Sequence, residues 1–244
     1  MDDLLLYSDD AIPTSLLKHN PENASRATKM FASILQYMGV RGEQLPALGQ
    51  LEVAQKLLHQ GLKRSELRDE LYMQLVKQTR GTPAVPAKLR AWQLLYLTAA
   101  CMPPTKDFMG LVSEYVHSCL HDDAEPAEIQ AMAQKTWQAM KRTSKAGQRR
   151  TLPEMAEIDA LFKAAKQTVV VYFLDETFEE VHYDTATTVA EASEALAGQI
   201  KLENYQTFTL FAVHKVCMGR RRPAAAQPSP PEPAPLPDLC LHSL

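Results

Sequence analysis

The chain has 244 residues, of which 45% are hydrophobic and 23% are charged, a composition typical of an ordinary soluble globular protein. Its formal net charge of −3 provides no global basic field for nucleic acid, and no apolar run approaches the roughly 18 residues of a membrane span. The four cysteines lie far apart in the sequence, which favours reduced thiols and a cytoplasmic protein over a disulfide framework.

Apolar residues recur at helical spacing up to about residue 166. The predicted helices cover approximately residues 26–38, 50–61, 66–79, 89–102, 111–120, 127–142 and 154–166. Gly39 and Gly61 are placed to end the first two helices, and Ser65 is placed to cap the third. The fourth helix is apolar on nearly all sides, which is typical of a central helix. The sequence therefore predicts a mainly α fold that begins with a helical bundle over residues 1–166.

The hydrophobic period changes from 3.6 to 2 at Gln167. The stretch "TVVVYFLDETFEEVHY" predicts a hairpin, a helix capped by Thr187 or Thr188 follows, and "FTLFAV" predicts a third strand. Residues 167–215 carry 2 basic and 8 acidic side chains, whereas residues 1–166 carry 21 and 19, which indicates separate units. Residues 216–244 contain seven prolines and are predicted to be a disordered, Pro-rich tail.

The third predicted helix contains three adjacent charged residues, Arg68, Asp69 and Glu70, within an otherwise apolar pattern. Arg68 and Asp69 have no opposite charge three or four residues away, so their partners should come from other helices or from a loop. We interpret Arg68, Asp69 and Glu70 as a structural polar pin between helices, with the two carboxylates near a helix N-terminus.

Several motifs resemble those of a MyTH4 domain, the helical module in the tails of unconventional myosins and some kinesins. They occur in the order and spacing of that family: "PTSLL", "ILQYMG", "LRDELYMQLVKQT", "WQLLYLTAACMPP" followed by a Phe, and "GQRRTLPEMAEIDAL". The next stretch, "VVVYFLDETFEEVHYDTATTVAEASEAL", is similar to the start of a FERM domain, whose first lobe is ubiquitin-like. The general character is that of a class XV or class VII myosin tail.

This resemblance implies a non-catalytic module that attaches to the cytoskeleton or to a cargo protein, without cofactors. It also implies that residues 167–215 are an incomplete ubiquitin-like β-grasp. That fold uses five strands, and its last strand pairs between the first and the third. Since no such strand is evident after residue 215, we expect the lobe to lack its central strand and to be unstable.

A basic stretch lies between Ile129 and Pro153, where six cationic residues occur without an acidic one. These residues are Lys135, Lys141, Arg142, Lys145, Arg149 and Arg150. At 100° per residue, Lys135, Lys141 and Arg142 lie opposite the apolar arc of their helix. The pattern fits a solvated face, or a binding surface for an acidic partner. The resemblance suggests microtubules as that partner, since some MyTH4–FERM tails bind them.

Other local patterns are weaker. His117 and His121 are spaced to share a helix face, but without further evident ligands they do not predict a metal site. The P-x-x-P spacings at Pro228–Pro231 and Pro230–Pro233 could contact an SH3-type partner. Two alternatives remain for the whole chain: an unrecognised enzyme, which would need a cleft with perturbed titratable groups, or a truncated splice product without an independent role.

Overall fold

The chain divides into two units, a helical unit over residues 1–165 and a second unit over residues 166–244. The computed structural model describes residues 5–163, 165–184, 187–213 and 238–243, with side chains for all of these except 212–213 and 238–243. The order predicted from the sequence, a helical domain followed by a short sheet with one helix, is confirmed. The unit boundary places Lys166, which we had assigned to the helical domain, in the second unit.

Seven helices form the helical unit. They are α1 (Pro21–Met38), α2 (Ala47–Lys63), α3 (Ser65–Thr79), α4 (Val85–Cys101), α5 (Lys106–Leu120), α6 (Ala127–Ala146) and α7 (Met155–Phe162). Helix α1 begins where the Asn20 side chain accepts a hydrogen bond from the Asn23 N–H, and it ends at Gly39, whose φ of 72° favours glycine. These caps explain the length of α1, whose first turn the apolar pattern alone did not include.

Helices α3 and α4 form the centre of the helical unit. Helix α4 packs against α1, α3 and α6, and its residues Trp92 and Leu95 are fully buried. Burying a side chain of this kind contributes roughly 1.5–3 kcal/mol, so a helix that is apolar on nearly all sides is stable only when other helices cover it. The prediction of a central fourth helix is therefore confirmed.

Three predicted helix ends differ from the structure. Helix α7 ends at Phe162 and not at about Lys166. Helix α2 continues past Gly61 to Lys63, and Gly61 is buried within the helix, where a Cβ atom would meet the end of the Met102 side chain. The glycine therefore permits close helix packing and does not end the helix. The N-cap of α3 is Arg64, and Ser65 is the first helical residue.

The second unit is a four-stranded sheet with one helix packed on it. Its elements are β1 (Gln167–Tyr172), β2 (Phe178–Tyr183), α8 (Val189–Ile200), a 3-10 turn (Tyr205–Thr207), β3 (Phe208–Val213) and β4 (Asp238–Ser243). Thr188 and Glu191 form a capping box at the start of α8. Val171, Val181 and Leu196 are the buried residues at the centre of a small core.

The strand order β2-β1-β4-β3 corrects one expectation from the sequence. We expected the position between the first and third strands to be empty, but β4 fills it, parallel to β1 and antiparallel to β3. Residues 238–243, which we had placed in a disordered tail, therefore form a strand. The remaining tail, residues 214–237 with both P-x-x-P spacings, and Leu244 lie outside the described residues.

Candidate functional site

Helix α3 is almost completely buried although it carries many polar side chains. Twelve of its 15 residues are buried, and Asp69, Glu70, Gln74 and Gln78 are among them. A buried polar group costs free energy unless it is hydrogen-bonded, so the position of its partners matters. Most of the partners lie in segments of the helical unit that are distant in sequence from α3.

Asp69 connects α3 to the start of α5. Its Oδ1 accepts a hydrogen bond from the Thr105 N–H at 2.9 Å, and its Oδ2 accepts one from the Thr105 hydroxyl at 2.6 Å. Thr105 is the N-cap residue of α5, but its hydroxyl makes no cap hydrogen bond within its own helix. The Asp69 carboxylate therefore lies at the N-terminus of α5, where the helix dipole favours a negative charge.

Glu70 connects α3 to the segment that precedes α1. This side chain is fully buried, and its two carboxylate oxygens accept the backbone N–H groups of Leu16 and Leu17 at 2.9 and 2.8 Å. The Gln74 Nε2 donates to Glu70 Oε1 at 2.7 Å, and the His19 Nε2 lies 3.6 Å from Glu70 Oε2. Glu70 thus fixes the path of the chain into α1.

The rest of α3 continues this pattern. Gln74 also donates to the Ala27 carbonyl at 2.9 Å, Gln78 donates to the Ser8 carbonyl at 2.7 Å, and Tyr72 donates to the Met102 carbonyl at 2.7 Å. We had not singled out Gln74 and Gln78 from the sequence. Glu70, Gln74 and Gln78 follow one another at intervals of four residues, and this spacing on a largely apolar helix was the available signal.

Arg68 differs from its two neighbours because it is only half-buried. Its Nη2 donates to the Gln148 Oε1 in the segment after α6, while its Nε is shielded from solvent without an acceptor among the described residues. Arg68, Asp69 and Glu70 therefore each contact a different segment, and Asp69 and Glu70 have the more extensive hydrogen bonding.

We expect the replacement Asp69→Ala to lower the free energy of unfolding of the helical unit by about 1–3 kcal/mol, because two Thr105 donors lose their acceptor. Arg68→Ala should cost less, since it also removes a buried donor that has no partner. Urea denaturation of both variants checks this order, and an equal or larger loss for Arg68→Ala would contradict it.

The α6 basic surface consists of Lys135, Lys141, Arg142 and Lys145. All four side chains are exposed, whereas Ile129 and Met140 on the opposite side of α6 are buried. Helix α6 packs against α4 and α5 through its apolar side and extends to Ala146, so Lys145 is part of the helix. This helix therefore presents its cations together to solvent.

A partly buried Trp137 lies beside the α6 basic surface. The Lys141 Nζ lies 5.0 Å from the centroid of the Trp137 ring, and the His117 ring meets the same indole edge-on at 5.4 Å. A cation placed over an indole face is attracted by the ring. Trp137 therefore orients one of the four cations.

Arg149 and Arg150 follow α6 and are not part of the α6 basic surface, although they belong to the same basic stretch of the sequence. The Arg149 Nη2 donates to both carboxylate oxygens of Glu157, at 3.0 and 3.2 Å. The Arg149 backbone N–H donates to the Cys101 carbonyl, so this residue fastens the segment between α6 and α7. Arg150 is exposed in the same segment.

The predicted pair of histidines is present at the end of α5, where the rings of His117 and His121 lie 4.5 Å apart. Within the described residues, no three or more His, Cys, Asp or Glu side chains are grouped so that they could hold a metal ion. The His117 ring contacts the rings of both His121 and Trp137.

A groove of about 380 Å³ lies between α1 and α2, lined by charged, hydroxyl and apolar side chains. Glu22 is the acidic residue that lines this groove, and its pKa is lowered because the Arg26 side chain donates a hydrogen bond to it.

Large upward pKa shifts occur away from the groove. Burial raises the pKa of the Cys101 thiol to about 12, and burial also raises the pKa of Tyr72 and Tyr115. These three large shifts toward the neutral form therefore belong to core residues.

The sequence matches the family described as MyTH4 domain over residues 54–160, and the family described as RA like domain over residues 165–221. It is 47% identical over 222 residues to the kinesin-like protein KIN-14I of Oryza sativa subsp. japonica, and 48% identical over 219 residues to the kinesin-like protein KIN-14E of Arabidopsis thaliana. These alignments cover 91% and 88% of this chain, which spans 18% and 17% of the two relatives.

A solved structure shows the same fold. The MyTH4–FERM MF1 domain of Dictyostelium discoideum Myosin VII, in one of its mutants, aligns with a TM-score of 0.78 and 25% identity over 86% of this chain and 43% of that chain. Among the helices of the described ranges, none has the length and hydropathy needed to cross a bilayer. The helical unit with its polar α3 and the smaller sheet unit thus agree with the two family matches, and this chain contains a MyTH4 domain followed by an RA-like, FERM-related domain.

Proposed function

We propose that this chain is a non-catalytic interaction module from the tail of a cytoskeletal motor protein, and that its α6 basic surface binds an acidic polymer, with the microtubule as the leading candidate. Two of its relatives are named kinesin-like proteins, and a structural neighbour belongs to a myosin. Such a module associates with the cytoskeleton or links a motor to its cargo.

The α6 basic surface is the observation that carries this proposal. Lys135, Lys141 and Lys145 form no ion pair with any carboxylate among the described residues, and they project from the exposed side of α6. Clustered cations attract an acidic partner over several ångströms, and this attraction weakens as salt screens it, with a Debye length of about 8 Å at physiological ionic strength. Such a surface suits weak, reversible attachment to a polymer with acidic tails.

Arg149 is not included in this proposed surface because Glu157 already neutralises it. Arg142 and Arg150 lie close in sequence to the three lysines and add to the positive field. The surface is therefore proposed as Lys135, Lys141, Arg142 and Lys145, with Arg150 beside it.

Co-sedimentation of the full chain with taxol-stabilised microtubules tests the proposal. The triple variant Lys135→Glu, Lys141→Glu and Lys145→Glu should bind at least about fivefold more weakly, since each exposed charge contact contributes roughly 0.2–1 kcal/mol and reversal replaces attraction by repulsion. A matched control is Lys18→Glu, Lys63→Glu and Lys106→Glu, three exposed lysines elsewhere in the helical unit. It changes the net charge equally and should retain binding.

Raising the salt concentration should weaken binding of the unmodified chain and leave little further effect on the α6 triple variant. Equal loss in the two triple variants would show that net charge alone is responsible. Undiminished binding of the α6 triple variant would show that this helix face is only solvated.

A further inference from the structure

The groove between α1 and α2 has three features that the α6 basic surface lacks: it is concave, it has an apolar floor, and it has cations on both sides. Met30 of α1 and Leu57 of α2 form the floor, each with 3% of its surface exposed. Arg26 and Lys29 line the groove from α1, and Lys56 lines it from α2. We call this feature the α1–α2 groove.

The cations of the groove are incompletely neutralised. Lys29 is exposed and makes no ion pair with a described carboxylate. Lys56 has only Glu52 near it, at 4.0 Å, and both side chains are well exposed. Because ion pairs of this kind contribute little, Lys56 can turn toward another anion at a small cost.

Arg26 supplies a second, independent observation. One of its terminal nitrogens pairs with Glu22, but its Nε is shielded from solvent and has no acceptor among the described residues. Because its side chain is 34% exposed and lines the groove, Arg26 remains accessible to a ligand carboxylate there. The Ser25 hydroxyl, which also lines the groove, can donate to the same ligand, whereas the Ser33 hydroxyl donates to the Lys29 carbonyl at 3.1 Å.

We propose that the α1–α2 groove binds an acidic peptide segment of a partner protein, with one apolar side chain of the peptide on Met30 and Leu57 and its carboxylates at Arg26, Lys29 and Lys56. A volume of about 380 Å³ accommodates one or two side chains of a peptide. The apolar floor and the cations on both sides select for a mixed acidic and apolar sequence. Neither a purely acidic nor a purely apolar segment meets both parts of the groove.

Fluorescence anisotropy of the full chain tests this site. The probe is a fluorescein-labelled peptide with a central Leu flanked on both sides by Glu residues. The double variant Lys29→Glu and Lys56→Glu should bind the probe about tenfold more weakly, because two attractive contacts become repulsive. The variant Ser25→Trp should also reduce binding, by filling the groove from an exposed position.

The matched control is Lys18→Glu and Lys106→Glu, two exposed lysines outside the groove and outside the α6 basic surface, which changes the net charge equally and should leave probe affinity unchanged. Conversely, the groove variants should retain microtubule co-sedimentation, so the two sites can fail separately. Circular dichroism melting confirms that each variant is folded.

Two further peptides test the composition of the ligand. Replacing the central Leu of the probe by Ser, or its Glu residues by Gln, should weaken binding severalfold. Equal affinity for the Ser peptide would overturn the role of the apolar floor, and equal affinity for the Gln peptide would overturn the role of the cations. Unchanged binding by both groove variants would overturn the site itself.

Discussion

Replacing Glu70 by Ala should lower the free energy of unfolding of the helical unit by about 3 kcal/mol or more. The change leaves the N–H groups of Leu16 and Leu17 without their acceptors, in a place where the carboxylate is fully buried. A hydrogen bond to a charged group contributes roughly 1.5–3 kcal/mol, and an unsatisfied buried donor costs about 1–3 kcal/mol. The replacement also deprives Gln74 of one of its two acceptors.

Urea denaturation followed by tryptophan fluorescence measures this loss, since Trp92 and Trp137 are the two tryptophans of the chain and both lie in the helical unit. Hydrogen exchange should also become faster at Leu16 and Leu17. The control is Glu66→Ala, an exposed carboxylate in the first turn of the same helix, which should change stability by less than about 0.5 kcal/mol. Equal losses for the two variants would show that Glu70 does not anchor the segment before α1.

Glu70→Gln separates shape from charge. The amide keeps the size of the carboxylate but replaces one acceptor oxygen by an NH₂ group, which would face a backbone donor. We expect a loss of stability close to that of Glu70→Ala. A near-normal stability of Glu70→Gln would assign the effect to packing.

Hydrophobic periodicity alone was sufficient to predict the helices and their approximate order. The fourth helix was predicted to be central because nearly all its faces are apolar, and the strand "FTLFAV" was predicted at the bounds that the structure shows, Phe208–Val213. Periodicity reports burial, so it succeeds where burial alone determines the element. Gly61 was interpreted as a helix end because glycine commonly follows the last residue of a helix. Periodicity does not show that a glycine lies in close packing inside the helix.

The partners of buried polar residues could not be predicted in the same way. Glu70 accepts from residues 53 and 54 positions away, and Asp69 accepts from a residue 36 positions away. A single sequence indicates that such residues need partners, but it does not identify them. The grouping of Arg149 with the basic residues of α6 had a related cause, since Glu157 lies beyond the stretch that was free of acids.

The motifs identified the MyTH4 domain, and from them we expected the tail of a class XV or class VII myosin, although kinesin tails contain the same module. Both kinds of tail contain this module, so its motifs carry little information about the motor. The identities of 47% and 48% to two kinesin-like proteins, against 25% to the myosin VII structure, place the sequence nearer to the kinesin-like relatives.

Strand β4 was missed because the residues from 216 onward were read as one segment. All seven prolines of that segment lie between residues 223 and 237, and Asp238 to Leu244 contain none. Proline is excluded from central strands, so a proline-free end was the signal that a strand could follow. The distance from β3 to β4, residues 214–237, concealed the pairing further.

Deleting residues 238–244 should abolish the hydrogen-exchange protection of β3. Among the described strands, β3 pairs with β4 alone, and β4 connects it to β1 over the pairs Val171–Leu239 and Tyr172–Cys240. Without β4 the sheet is reduced to the β1–β2 hairpin and an unpaired β3, and an isolated hairpin is marginally stable in water. Exchange in Phe208–Val213 should therefore approach that of an unfolded chain, while β1 loses part of its protection.

The helix α4 provides the internal reference, because it belongs to the helical unit and should exchange as slowly in the deletion variant as in the full chain. Leu241→Pro should reproduce the effect by removing one backbone donor from the centre of the sheet, whereas Leu241→Val keeps that donor and should preserve protection. Slow exchange of β3 in the deletion variant would mean that β3 is protected by other contacts. Fast exchange of β3 in the full chain would mean that the pairing with β4 is too weak to hold the sheet together, and the lobe would then be unstable as the sequence suggested.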